Sequence, residues 1–250
     1  MATPPARSLL KALELMELAV NRGDRAIDEI AEEAGLPPAT AHRLMTTLVQ
    51  AGYMLREKPG SYLPGARLIE LGRSLDERAV LAHLGRPALK VLAKACGQTA
   101  HLGVLDGDMV TYLAKEAGGA DPLFTREGMQ LEAYCSGIGK VLLAQLPAED
   151  LQAYLSGDPF VSLTPHTIID PQVLKTQLVQ VRKEGFALDD REIFETLKCI
   201  AAPVRGWGGR IVAALSVSAP IARFDEAFEA RARAALTEAA SAIQARLAPA

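Results

Sequence analysis

At 250 residues and 49 % apolar, the chain has the length for two globular domains, and no apolar run approaches the ~20 residues of a membrane span. A net charge of −3 excludes a general electrostatic attraction to nucleic acid, so any DNA contact must be local. Three widely spaced cysteines, Cys96, Cys135 and Cys199, fit a reducing cytoplasm better than a disulfide framework and form no CxxC metal pair.

The opening MATPPARS lacks the apolar core of a secretory signal. Ser8 is expected to cap a first helix that packs Leu9, Leu13, Met16 and Val20 inward and ends at Asn21-Arg22-Gly23-Asp24. Arg7, in the arm before that helix, stands where homeodomain-like arms reach a minor groove; an arm without function is an equal alternative. Residues 26–51 then read as two short helices joined at Gly35, the helix-turn-helix plan. Ile27, Ile30, Ala31 and Ala34 form the apolar face of the first, and Ala41, Leu44, Met45 and Leu48 that of the second. Gly35 suits a positive φ, Leu36 plugs the corner, and Pro37-Pro38 stop the first helix from continuing. The outer face of the second helix carries Thr40, His42, Arg43, Thr46, Thr47 and Gln50, side chains that reach base edges or phosphates from a major groove. A helical hairpin with a solvated polar face is the plainer alternative.

Residues 53–56 and 61–63 read as strands around Lys58-Pro59-Gly60, a hairpin placed as a wing, with Arg56 and Lys58 near its tip to meet phosphate. Between residues 36 and 67 the basic Arg43, Arg56, Lys58 and Arg67 face only Glu57, whereas Asp28, Glu29, Glu32 and Glu33 make the preceding helix acidic. A helical connection runs to about Cys96, and Pro87 is expected to divide it in two. Strands at 99–105 and 109–115 flank the turn Asp106-Gly107-Asp108. Helices at 138–145 and 171–184, strands at 186–189, 199–204 and 210–218, and a closing helix from about 225 packing Phe228, Leu236, Ile243 and Leu247 complete the chain. This order predicts an α+β domain with a mostly antiparallel sheet.

Six stretches, in order, make the chain resemble the IclR family of bacterial transcription regulators over nearly its whole length. They are LPPATAHRL from Leu36, GARL through Leu71-Gly72, SGIGK from Ser136, GFALDD from Gly185, CIAAPV from Cys199 and AALSVS from Ala213. The resemblance implies a winged helix-turn-helix domain (1–72), a helical linker (73–97) and a GAF-like effector-binding domain (98–250). It implies a homodimer or homotetramer on a palindromic operator in double-stranded DNA, controlled by a small carboxylic acid, aromatic or not, of a catabolic pathway, with no cofactor and no membrane association. By the same resemblance Leu131, Gly137, Ile138, Asp189, Leu197, Cys199, Ser216 and Ser218 line the effector pocket.

The residues themselves point the same way. Ser136-Gly137-Ile138-Gly139-Lys140 opens a helix whose exposed amide N–H groups suit a carboxylate, although a tight turn needing glycine for its backbone alone is the commoner case. Ser216 and Ser218, two apart on an apolar strand, present both hydroxyls to one side. Tyr134 and Cys135 stand where many relatives have histidine and alanine or threonine, and Tyr134, with Phe124, Met129 and Phe194, suits a planar aromatic acid. Two other classes remain: an enzyme using Cys135 as nucleophile, which lacks a histidine–acid partner motif, and a metal sensor using Asp189 and Cys199, whose spacing matches no ligand set. His101 reads as a core histidine on a strand face.

Overall fold

The computed structural model describes residues 4–22, 26–119 and 123–247, and the chain divides into two compact units, Met1–Asp76 and Glu77–Ala250. In the first unit, α1 (Arg7–Arg22), α2 (Ile27–Glu33) and α3 (Pro38–Gln50) precede β1 (Met54–Lys58), β2 (Ser61–Pro64) and α4 (Ala66–Ser74). Gly35, at φ +62°, closes α2, and Leu36 turns inward with its N–H on the Ala31 carbonyl at 2.8 Å. Pro38 opens α3 at a position where no backbone N–H is needed. The core gathers Leu15, Ile27, Ile30, Ala41, Met45, Leu48, Met54 and Tyr62, so the helix-turn-helix and the wing share one apolar centre.

α1 departs from expectation. Ser8 lies inside its first turn rather than capping it, and the inward stripe is Leu15 and Ala19, with Met16 and Leu18 partly covered. Leu9, Leu13 and Val20 stay exposed. The helix carries apolar residues on more than one face, and the face that packs on α3, α2 and β2 is the covered one. Its expected end at Gly23-Asp24 lies outside the described residues.

The second unit begins with α5 (Glu77–Cys96), one helix with Pro87 inside it. The break expected at Pro87 falls instead at Leu75-Asp76, because Leu81, Leu89, Leu92 and Cys96 lie buried along one side of α5 and hold it through the proline. β3 (Thr99–Asp106), β4 (Met109–Glu116), β5 (Gln130–Glu132), α6 (Gly137–Leu143), α7 (Ala148–Leu155), α8 (Pro171–Glu184), β6 (Ala187–Asp190), β7 (Leu197–Arg205), β8 (Ile211–Pro220) and α9 (Glu226–Leu247) follow. Of these, β5 and α7 are additions to the sequence reading. The six strands form one antiparallel sheet in the order β5-β4-β3-β8-β7-β6.

Alternation along the strands assigns the two faces. Ala100, Leu102 and Val104 of β3 and Ala213, Leu215, Val217 and Ala219 of β8 pack under α5 and α9, with Phe228, Leu236 and Ile243 from the latter. Ala201 and Ala214 face the other way, against α6 and the buried Leu174, Leu178 and Val181 of α8. That second face also carries Ser216 and Ser218, which meet His101 and Cys199 across the strands.

Candidate functional site

In the first unit, the outer side of α3 exposes His42, Arg43, Thr46, Thr47 and Gln50, with Thr40 half-buried at its start. The hydroxyls of Thr46 and Thr47 donate to the carbonyls of His42 and Arg43 at 2.8 and 3.0 Å, which leaves their lone pairs and methyl groups facing out. His42 Nε2 lies 3.2 Å from Asp28 Oδ1, so one acid of α2 engages the outer side of α3. Arg56 and Lys58 stand exposed on β1, on either side of a bulge in the hairpin. The Gly60 carbonyl in the wing turn accepts the Ile27 N–H at 2.9 Å and ties the wing to the start of α2. Arg67 instead stacks its guanidinium over the Tyr53 ring, 5.5 Å from the centroid. Arg7 is the exposed first residue of α1, not part of an extended arm.

In the second unit a narrow pocket opens between the sheet and the start of α6. It is lined by Leu131, Ser136, Gly137, Ile138, Asp189, Leu197, Cys199, Ser216 and Ser218, together with Tyr112, Leu123, Phe124, Thr125, Ile193 and Phe194. Ser136 caps α6 by accepting the Gly139 N–H at 3.1 Å, and the amides of Gly137 and Ile138, at the open end of that helix, border the pocket. Gly139 is required: a Cβ there would lie 2.1 Å from the Ala133 carbonyl oxygen, where the preceding turn folds against α6. Phe124 and Phe194 meet at the pocket with ring centroids 4.3 Å apart, both substantially exposed. The remaining space is about 30 Å³, enough for water and too small for an organic acid.

The electrostatics of the pocket follow from burial. No lysine or arginine is among the residues that line it. The Asp189 carboxyl, buried and accepting the Glu192 N–H at 2.8 Å, is pushed up to about 7 by desolvation. Cys199 donates its thiol proton to Ser218 Oγ at 3.1 Å, and burial holds that thiol well above its ordinary range. His101 is fully buried behind the pocket, stacked on Tyr112 at 4.4 Å and 2.8 Å from Thr125 Oγ1; desolvation lowers it to about 3, so it is neutral at ordinary pH. Behind α6, Lys140 is completely buried, paired with Glu192 and bonded to the Leu188 carbonyl at 3.1 Å.

Tyr134 is the expected pocket residue that lies elsewhere. It sits in the turn between β5 and α6 with its hydroxyl on Val161, donating to the carbonyl at 2.7 Å and accepting from the N–H at 3.1 Å, and stacks on Phe160. Met129 packs into the core beside β5 instead of reaching the pocket. Leu123, Thr125 and Ile193 escaped the sequence reading because irregular segments carry no periodicity. Tyr112 had a usable signal, its place on the strand neighbouring His101. The Cys135 thiol is buried and raised by desolvation, a poor source of nucleophilic thiolate. Among the described residues no cluster of histidine, cysteine and acid side chains is placed to hold a metal, and no helix is long and apolar enough to cross a membrane.

Two family models match, an IclR helix-turn-helix domain over residues 8–57 and the C-terminal domain of bacterial IclR transcriptional regulators over residues 74–245. The chain is 33 % identical over 243 residues to the HTH-type transcriptional regulator XynR of Escherichia coli, covering 96 % of each. It is 33 % identical over 237 residues to the transcriptional repressor IclR of the same organism, covering 90 % of this chain and 84 % of the repressor. Among solved structures, the Thermotoga maritima IclR superposes with a TM-score of 0.64 at 32 % identity, over 96 % of this chain and 98 % of the other. An IclR homologue from Microbacterium hydrocarbonoxydans, complexed with 4-hydroxybenzoate, superposes with a TM-score of 0.63 at 26 % identity, over 96 % and 98 %.

Proposed function

The chain belongs to the IclR family of bacterial transcriptional regulators, and on that premise we propose that it binds a palindromic operator as a dimer or tetramer under the control of a small organic acid. Thr40, His42, Arg43, Thr46 and Thr47 read the major groove from α3, Arg56 and Lys58 hold phosphate from the wing, and Arg7 adds charge beside the groove. Residues 1–72 act as the DNA-binding part, 73–97 as the transmitter and 98–250 as the sensor. The protein works as a binder and not as an enzyme.

The observation that carries the sensor reading is the pocket itself. It joins the amides of Gly137 and Ile138 and the hydroxyls of Ser216 and Ser218 to an aromatic wall of Tyr112, Phe124 and Phe194. The amides take the carboxylate without a cationic side chain, and the rings take a flat apolar body. The 4-hydroxybenzoate held by the Microbacterium homologue supports an aromatic acid here. With so little free space, the acid enters by parting Phe124 from Phe194, and the state with the rings apart is the one it stabilises.

Thermal shift of the full chain with benzoate, 4-hydroxybenzoate, glyoxylate and pyruvate, followed by operator binding with the hit, tests this. An aromatic hit that alters operator affinity supports it. A shift with glyoxylate or pyruvate alone overturns the aromatic part, and no shift with any acid overturns the sensor.

A further inference from the structure

Tyr134, unused by the effector pocket, lines an open cleft of about 610 Å³ between the turn joining β3 to β4, the helix α7 and the segment 157–161. Its size falls in the range of small-molecule sites, roughly 300–1,000 Å³. One wall is aromatic: Tyr134 and Phe160 stack at 4.5 Å with planes 13° apart, and Tyr154 leans on Phe160 at 5.8 Å. The two hydrogen bonds between Tyr134 and Val161 hold Phe160 and its segment in place, so the wall exists before anything binds. The charges around it are all of one sign. Asp108, Asp150 and Asp158 stand exposed and Glu132 half-buried, no lysine or arginine lines the cleft, and none of the four acids forms an ion pair with a described residue.

Rings beside unpaired carboxylates attract one chemistry, an organic cation on an apolar stem, through cation–π attraction and direct ion pairing. We propose that this cleft is a second ligand site, taking a small organic ammonium or guanidinium compound whose apolar body lies along Phe160 and Tyr154. It is separate from the acid pocket in lining residues and opposite to it in the charge it selects.

Isothermal titration of the full chain with phenethylamine, against the uncharged 2-phenylethanol, tests the site. Phenethylamine is expected to bind and 2-phenylethanol to bind at least tenfold more weakly. Phe160→Leu and the double change Asp150→Asn with Asp158→Asn should each weaken the amine by roughly tenfold, the scale of a cation–π or ion-pair loss. Absence of amine binding, equal binding of the alcohol, or unchanged binding in both variants overturns the proposal. So does a fall in sedimentation coefficient of the amine-free variants, which would make the cleft a contact between copies of this chain. Titrating 4-hydroxybenzoate into the same proteins keeps the two readings apart: acid binding unaltered by the cleft variants, or absent altogether, leaves the amine result standing on its own.

Discussion

At the scale of single residues, Arg43 stands on the helix assigned to DNA and Asp189 lines the pocket assigned to the acid. Arg43 is exposed on the outer face of α3, between His42, which engages Asp28, and the threonines that bond back to their own helix. Arg43→Ala is expected to weaken operator binding by about 1–3 kcal/mol, the cost of one bidentate base contact, with the fold's melting temperature unchanged; a gel-shift titration reads it. Asp189 makes a pH prediction. Folded, it holds its proton up to about pH 7, against an ordinary value of 3.8. Between those values the folded chain binds a proton that the unfolded chain has lost. This group's contribution to stability therefore falls as pH rises through that window, and the burial cost is complete above it. Asp189→Asn keeps the acceptor for the Glu192 N–H and removes the charge. The variant should melt above the parent at pH 8, and the gap should close toward pH 4 in thermal scans.

At the scale of elements, α6 is held at its start and through its middle. Ser136 and the close turn at Gly139 set its start, and Lys140 reaches from it to the Leu188 carbonyl in β6 and to Glu192 just beyond that strand. The segment carrying Glu192 is further clamped by Thr164, which donates to the Arg191 carbonyl, and Thr167, which donates to that of Glu192, both at 2.7 Å. It also contributes Ile193 and Phe194 to the pocket, so the buried pair braces a wall of that pocket. Both partners are desolvated, and removing one strands the other. Lys140→Met is expected to destabilise by about 3–5 kcal/mol in urea unfolding, and adding Glu192→Leu should restore most of it. If the single change proves neutral, the pair is not what braces this wall.

At the scale of the whole molecule, the proposed palindromic operator would take two copies, and α1 exposes apolar residues that a second copy would cover. Leu9 and Leu13 lie one turn apart and are 58 % and 40 % exposed, although apolar surface on a helix is ordinarily covered. Leu9→Arg with Leu13→Arg should therefore raise the monomer fraction in sedimentation while leaving each chain folded. Operator affinity should fall with it, because one half-site replaces two. An unchanged sedimentation profile would place the dimer contact elsewhere.

Local grammar settled most of what was legible in the chain. Gly35 and the Pro37-Pro38 pair set the helix-turn-helix, Asp106-Gly107-Asp108 set a hairpin, and the residues 171–184 expected as a helix are α8. Alternation along AALSVS puts Ser216 and Ser218 on one face, as the strand pairing bears out. These features depend on neighbours within a few positions, where φ/ψ preference and periodicity act. Choices between equivalent local solutions needed the packed structure. Either stripe of α1 satisfied its period, and contact with α3 selected Leu15 and Ala19. Pro87 is a breaker in isolation, yet burial along α5 carried the helix past it. Tyr134 follows the strand that leads to the pocket, and its bond to Val161, distant in sequence, turned it to another cleft. The chain by itself determined most of its elements, its family and most of the residues lining one cavity. Which way each ambiguous side chain faces was decided only in the fold, since burial energy is a property of partners that sequence separation hides.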